Sequence, residues 1–442
     1  MKFYKLFADG KKEINTKDSL NKLQPSNNFS DLINPLRKSQ EYLKAVKTYD
    51  IISWLDEVCE KWSERDSKIQ KKMNNMGINY LIFWLKKKNL LKLANLALRG
   101  KIEFLDNFYK INKETKLMAH PRGVVSHWIS GNVPVLGILS IIQGIITKNA
   151  NIVKLPKDNL NFIPTLLQSM SKINYKNSSG QLIEGNKIVK SILCVYYPSS
   201  NKKVLNEMSL QSQVRVAWGG TNAVETIMHL PRKFGCEDII FGPKTSFAVV
   251  GKEKLKNNNL SKNIAKKISF DASQFEQQGC NSPHTIFVEK KGNISPLKFA
   301  EQLSVEMNKL SKKVFRDPNT TVDIGQILTL RAKYDMMDKA FYSSDLNWTV
   351  LYSENDKGLA KPCYFKTVFV RPIDDVMKID KYCSHFTQTA GVALSDERKI
   401  EFAKRVSAKG IDRVPEVGSM LNYDIPWDGI FMMDRLVRWC KI

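Results

Sequence analysis

The sequence predicts an α/β protein: a doubly wound parallel sheet, a second α/β domain after it, and a helical region before it. Two observations carry this. From about residue 119, apolar runs of strand length alternate with helical segments, which requires right-handed crossovers and a parallel sheet. The length of 442 residues, 43% of them apolar, is enough for two or three folded units with their own cores.

Residues 1–118 read as a mainly helical region. Ile51, Ile52, Leu55, Val58 and Trp62 recur at helical spacing in 49–65, and 78–98 carries a second apolar stripe. No chemistry is visible there, and a covering helical layer is the expectation. Residues 119–243 form the first α/β domain. Gly123-Val124-Val125 begins a strand, Ser130 to Pro134 a turn, and an apolar helix runs to Ile146. Further strands are expected at 152–155, 188–197 and 214–218, with helices at 162–173, 202–211 and 222–230. Sheets of this kind bind ligands at the carboxyl ends of their strands. Residues 244–410 form the second domain, with strands at 247–250, 285–288, 347–353 and 365–370 and long helices near 296–313 and 323–340. Residues 411–442 are a C-terminal segment that returns to the first domain or meets another subunit.

Composition narrows the function. The longest apolar run, Val133 to Ile146, is shorter than a membrane span of about 20 residues. The first 17 residues lack the sustained apolar core of a signal peptide. Lys and Arg number 69 against 44 Asp and Glu, a net charge of +25. The lysines are scattered and lack interleaved aromatics, so a solvated basic surface is favoured over a nucleic-acid site. Seven cysteines, with no Cys-x-x-Cys pair, and five dispersed histidines suggest neither a disulfide framework nor a metal. A reduced, cytoplasmic protein without a metal is expected.

Three places carry possible chemistry. Cys280 lies in the polar loop Gln277-Gln278-Gly279-Cys280-Asn281-Ser282-Pro283, which exposes a thiol better than the apolar strand around Cys194 does. A thiolate is a strong nucleophile and forms thioesters readily, although an arbitrary cysteine is more often simply packed. Asn132 stands at a strand-to-helix turn, either capping local backbone or aiming its amide at a developing oxyanion. Gly219-Gly220-Thr221, between a strand and a helix, lets a ligand approach backbone N–H groups that suit a pyrophosphate. The Gly-x-Gly-x-x-Gly fingerprint is absent from this turn.

In order and spacing these residues resemble the aldehyde dehydrogenase superfamily. Asn132-Val133-Pro134 resembles its Asn-aromatic-Pro turn, whose Asn helps form the oxyanion hole. Ile152-Val153-Lys154-Leu155 resembles the strand whose lysine contacts the adenosine ribose of the cofactor. Trp218-Gly219-Gly220-Thr221 resembles the turn beside the cofactor phosphates, implicating Gly220 and Thr221. Gly242-Pro243-Lys244 and Gln278-Gly279-Cys280 resemble the segments before and around the nucleophile.

A closer resemblance, to the LuxC-type acyl-CoA reductases, covers most of the chain. It rests on the helical N-terminal region, the Gln277–Pro283 phrase, Phe386-Thr387-Gln388-Thr389-Ala390-Gly391, and the ending Trp427-Asp428-Gly429 with Leu436-Val437-Arg438-Trp439. The resemblance implies an aldehyde-dehydrogenase-like fold and an NADPH-dependent acyl-CoA reductase with Cys280 as nucleophile and Asn132 as oxyanion donor. Lys154, Lys157, Gly220 and Thr221 would bind the cofactor. It further implies a homo-oligomer that takes acyl-CoA or an acylated partner protein, the acyl-protein synthetase of a fatty acid reductase complex supplying aldehyde for luminescence. No nucleic acid and no membrane span are implied.

Two departures from the superfamily matter. Its general-base Glu falls at Ile240 here, which favours acyl exchange or reduction over hydrolysis of a thioester. Lys157 stands where many NAD-using members carry a Glu on the ribose, so a 2′-phosphate is tolerated. Phe369-Val370-Arg371-Pro372 is the nearest counterpart of the nicotinamide-ribose segment, and no role is transferred to it. An ordinary aldehyde dehydrogenase and a non-enzymatic basic nucleic-acid-binding protein stay open as alternatives.

Overall fold

In the computed structural model, which describes residues 2–14, 20, 23–312 and 323–442, the chain divides into two compact units. The first comprises 1–242, 424–426 and 430–442. The second comprises 243–423 and 427–429.

The first unit is built on a seven-stranded sheet. Its strand order is Glu237–Phe241, Val214–Trp218, Val124–Trp128, Ala150–Lys154, Ile192–Tyr196, Tyr4–Ala8 and Lys11–Lys12. The first five strands pair in parallel. Crossover helices Pro134–Ile146, Phe162–Met170, Lys202–Gln211 and Thr221–Met228 join them. The helix Pro134–Ile146 starts on a proline at its first turn, where the missing N–H has no intrahelical role, and almost all of it is buried. That burial explains why an apolar run of this length stays inside a water-facing fold. The strand Tyr4–Ala8 was not expected. It joins the sheet antiparallel beside Ile192–Tyr196, within a stretch whose sequence reads as helical.

The N-terminal helices Ser30–Ala45, Thr48–Ser63 and Lys87–Ala97 belong to this unit. Ile51, Ile52, Leu55, Val58 and Trp62 are buried on one face of the second of them. Its N-terminus is capped from far along the chain: Asp106 accepts hydrogen bonds from the Thr48 N–H and hydroxyl and pairs with the buried Lys148 at 2.5 Å. The C-terminal strand Val437–Lys441 pairs antiparallel with Lys116–Pro121.

The second unit carries a six-stranded sheet ordered Lys339–Tyr342, Thr349–Tyr352, Thr367–Ile373, Pro283–Glu289, Thr245–Val250, Thr387–Ala393. Only the Lys339–Tyr342 edge pairs antiparallel. One face is covered by Asn258–Ser273 and Pro296–Ser311, whose Ile264, Ile268, Phe299 and Leu303 pack on Val250, Ile286 and Val370. The helix expected at 296–313 ends at Ser311, and Lys313 lies outside the described residues. Among the described residues no helix is long and apolar enough to cross a membrane.

Candidate functional site

In the first unit, strand order fixes where a ligand can sit. From Val124–Trp128 the chain moves one way through Ala150–Lys154 to Ile192–Tyr196, then returns to the other side through Val214–Trp218 to Glu237–Phe241. The crossovers therefore part beyond the carboxyl end of Val124–Trp128, which opens a crevice at this switch point. The turn bearing Asn132 follows that strand. Lys154 ends one neighbouring strand, and Gly219-Gly220 follow the other.

Asn132 is exposed. Its backbone N–H reaches the Ser130 hydroxyl at 3.4 Å, and its side-chain amide has no partner among the described residues. Gly220 caps the helix Thr221–Met228, and a Cβ placed on it would meet nothing within 4 Å, so the backbone there is open to a ligand. Thr221 is exposed beside it. Lys154 is half-buried, and burial lowers its pKa; Lys157 is exposed on the short turn Lys157–Asn159. Open backbone N–H groups and two cations suit a phosphate-bearing dinucleotide.

Two nearby groups are structural. His127 lies fully buried between the Ser140 hydroxyl at 2.9 Å and the Asn151 amide at 3.0 Å, and desolvation brings its pKa down to about 4. It stays a neutral imidazole that ties a strand to a helix. Ile240 packs partly buried against an apolar cluster containing Ala217, Val224 and Ile227. An apolar residue there has a packing reason of its own.

Cys280 belongs to the second unit, and here the arrangement departs from the expectation that ligands meet carboxyl ends. The Cys280 loop precedes Pro283–Glu289, and the residues around it come from the starts of Thr245–Val250 and Thr387–Ala393. The cluster therefore gathers at the amino ends of these parallel strands. The Ser246 hydroxyl donates to the Cys280 carbonyl at 2.6 Å and accepts from the Thr389 N–H at 3.1 Å. The Asn281 amide donates to the Met420 carbonyl at 2.9 Å. Gln388, with no exposure, donates its amide to the Asp428 carboxylate at 2.5 Å. Asp428 also lies 4.0 Å from Lys244, which pairs with Asp412 at 2.6 Å. Arg413 stacks over the Trp427 ring at 4.8 Å and donates to the Met420 and Asn422 carbonyls.

These surroundings set the ionisation of the thiol. Burial, reinforced by the negative charge of Asp428, pushes it up to about 12, while the Gln388 amide and Arg413 act in the opposite direction. These influences favour the neutral thiol over the thiolate. Burial likewise raises the pKa of Asp428.

Sequence reasoning singled out Cys280 but missed Ser246, Gln388, Arg413 and Asp428 as its neighbours. The Phe386–Gly391 and Trp427–Gly429 segments were visible as phrases, yet nothing local to them says that they meet at a cysteine. Among the described residues no group of three His, Cys, Asp or Glu side chains is placed to hold a metal.

Comparison with known proteins agrees with this architecture. The acyl-CoA reductase (LuxC) family matches residues 24–439. A long-chain acyl-protein thioester reductase of Vibrio harveyi is 26% identical over 335 residues, covering 74% of this chain and 65% of the relative. The one from Aliivibrio fischeri is 24% identical over 444 residues, covering 97% and 84%. Among solved structures, an Anabaena variabilis protein assigned as an aldehyde dehydrogenase superposes with a TM-score of 0.62 at 12% identity, covering 93% of this chain and 91% of its own. A 3,6-anhydro-L-galactose dehydrogenase in complex with NADP gives 0.60 at 11% identity, covering 100% and 96%. These structural likenesses establish an aldehyde-dehydrogenase-like fold.

Proposed function

The chain belongs to the acyl-CoA reductase (LuxC) family, and we propose that it reduces an activated fatty acyl group to the aldehyde with NADPH through a thioester on Cys280. The observation that carries this reading is a half-buried cysteine whose carbonyl accepts from the Ser246 hydroxyl, in a loop at the amino ends of a parallel sheet. The acyl donor is an acyl-CoA or an acylated partner protein. The names of the relatives support the second, with the acyl-protein synthetase of a fatty acid reductase complex as that partner.

Cys280 attacks the acyl carbonyl and its S–H proton is given up. A new thioester forms, and the carrier leaves as a thiol. By the resemblance, Asn132 and the Cys280 backbone N–H are the oxyanion donors, each lowering the barrier by about 2.7–4 kcal/mol, the range typical of one such group. NADPH, when bound, supplies the hydride that converts the thioester to aldehyde and returns the cysteine. Gly220 and Thr221 would hold its phosphates through open backbone N–H groups, and Lys154 and Lys157 would hold the ribose end.

The test is incubation with acyl-CoAs of graded length and NADPH, with aldehyde measured directly. Aldehyde formation is expected. Acid formation from aldehyde without CoA, and no reduction, would support an ordinary aldehyde dehydrogenase instead.

Cofactor choice follows from Lys157. A cation there favours a 2′-phosphate through a charge-assisted contact and gives the NAD ribose no carboxylate to bind. Lys157→Glu is expected to shift the kcat/KM ratio toward NADH by about tenfold or more, mainly through KM, equivalent to ~1.4 kcal/mol. Equal use of the two cofactors by the unaltered chain, or an unchanged ratio in the variant, would leave Lys157 as one more solvated lysine.

A further inference from the structure

A buried hydrogen-bond relay in the first unit ends at an aromatic ring beside the crevice. That ring is Trp218, which closes the strand Val214–Trp218 immediately before Gly219-Gly220. We propose that Trp218 is the platform on which the nicotinamide ring of the cofactor stacks, with Ser140 and His127 as the residues that position it. This rests on the reading of the first unit as the part that binds NADPH.

Donor and acceptor roles along the relay follow from its end. An indole N–H can only donate, so Trp218 Nε1 gives its hydrogen to the Ser140 hydroxyl oxygen at 3.4 Å. The Ser140 hydroxyl hydrogen is then left for His127 Nδ1 at 2.9 Å, which accepts it. The proton of the imidazole therefore sits on Nε2 and is donated to the Asn151 side-chain oxygen at 3.0 Å. Asn151 in turn donates its NH2 group to the Asn149 carbonyl at 2.9 Å. Ser140, His127 and Asn151 have no exposure. A buried polar relay is tolerated when its members are satisfied, and satisfying them holds each side chain in one rotamer. Packing alone does not call for this, because a phenylalanine would fill the end of the strand with no N–H to tether.

The tether decides which part of the ring a ligand can meet. One face of the indole lies on the Phe241 ring, with centroids 3.8 Å apart and planes 19° from parallel. Phe241 is 3% exposed, whereas Trp218 stays partly exposed. With that face covered and the N–H edge tied to the helix Pro134–Ile146, the ring offers its opposite face.

The strand register places this face at one end of a row. Trp218 pairs with Phe241, Ala217 with Trp128, and Trp128 with Lys154, across the carboxyl ends of four neighbouring strands. The row spans three strand spacings, about 14 Å. An adenosine ribose at Lys154 and phosphates at Gly220 set a dinucleotide running along it. The ring beyond the phosphates then comes to the side of Glu237–Phe241, where Trp218 and Phe241 stack. Offset stacking of aromatic rings favours that contact.

The experiment measures binding rather than turnover. The full chain is titrated calorimetrically with NADPH and with 2′,5′-ADP, the adenosine half that carries no nicotinamide. Trp218→Ala is expected to weaken NADPH about tenfold, equivalent to ~1.4 kcal/mol, while leaving 2′,5′-ADP unchanged. Trp218→Phe keeps a stacking face and should recover most of the loss. Ser140→Ala should weaken NADPH relative to 2′,5′-ADP when Trp218 is present, but not in combination with Trp218→Phe, which has no N–H to tether. Equal weakening of both ligands by Trp218→Ala would overturn the inference in favour of a structural role, and unchanged NADPH binding would remove Trp218 from the site. An unaltered chain that binds neither ligand would instead overturn the underlying cofactor reading, so the two failures are told apart.

Discussion

Replacing Cys280 with alanine is expected to abolish acyl-enzyme formation, while Cys194→Ala and Cys363→Ala leave it intact. The expected loss is of the order of a million-fold in acyl transfer, the scale on which removal of a covalent nucleophile operates. The seven cysteines are distinguished by their surroundings rather than by chemistry. Cys59 and Cys194 are buried, and desolvation is the main cause that raises their thiols far beyond any useful range. Cys363 is buried in a small apolar cluster with Phe365 and Phe369. Cys383 donates to the Ile379 carbonyl of its own turn. Cys280 instead lies in a polar loop, its carbonyl held by the Ser246 hydroxyl at 2.6 Å. The measurement is labelled acyl-CoA followed by denaturation and mass analysis of the modified peptide. Full labelling of Cys280→Ala would refute the assignment.

The parts of this architecture legible in the sequence are those written in local pattern. The alternation of strand-length apolar runs with amphipathic helices over 119–230 predicts the parallel sheet, because each strand is buried on both faces and each crossover must return across one. The Gln278-Gly279-Cys280 loop stood out because a cysteine among polar residues differs from one within a strand. The strand Tyr4–Ala8 was illegible for the opposite reason. Its Leu6 and Phe7 are fully buried, its partner strand lies almost 190 residues away, and no nearby residue announces that partner. Gln388 and Asp428 were equally silent. A glutamine in a strand and an aspartate before a glycine are ordinary surface choices, and only the fold brings them together.

Glu276→Ala is expected to destabilise the second unit by about 3–5 kcal/mol, the cost of removing one member of a buried ion pair. Phe275, Glu276 and Gln277, just before the cysteine loop, all have left-handed backbone, at φ 51°, 52° and 62°. Tyr364, Phe365 and Lys366 repeat this at 58°, 53° and 57°. Six such residues without a glycine among them store strain of about 1–2 kcal/mol each, so the two turns need external support. They supply it to one another. The Phe365 N–H donates to the Glu276 carbonyl at 3.0 Å, and the Thr367 N–H donates to the Gln277 side chain at 3.0 Å. Gln277 in turn donates to the Pro283 carbonyl at 2.8 Å, closing the loop that carries Cys280. The Lys366–Glu276 pair, at 3.2 Å with side chains 2% and 8% exposed, locks the crossing. Removing the carboxylate takes the opposite charge from a desolvated ammonium at the most strained point, so the Cys280 loop should loosen along with the unit. Urea unfolding of the single variant, set against Glu276→Leu combined with Lys366→Met, reads this directly. The double variant buries no charge and should recover most of the loss. A single variant that unfolds with the unaltered chain would mean that the pair does not bind the two turns together, and the strain there would need another support.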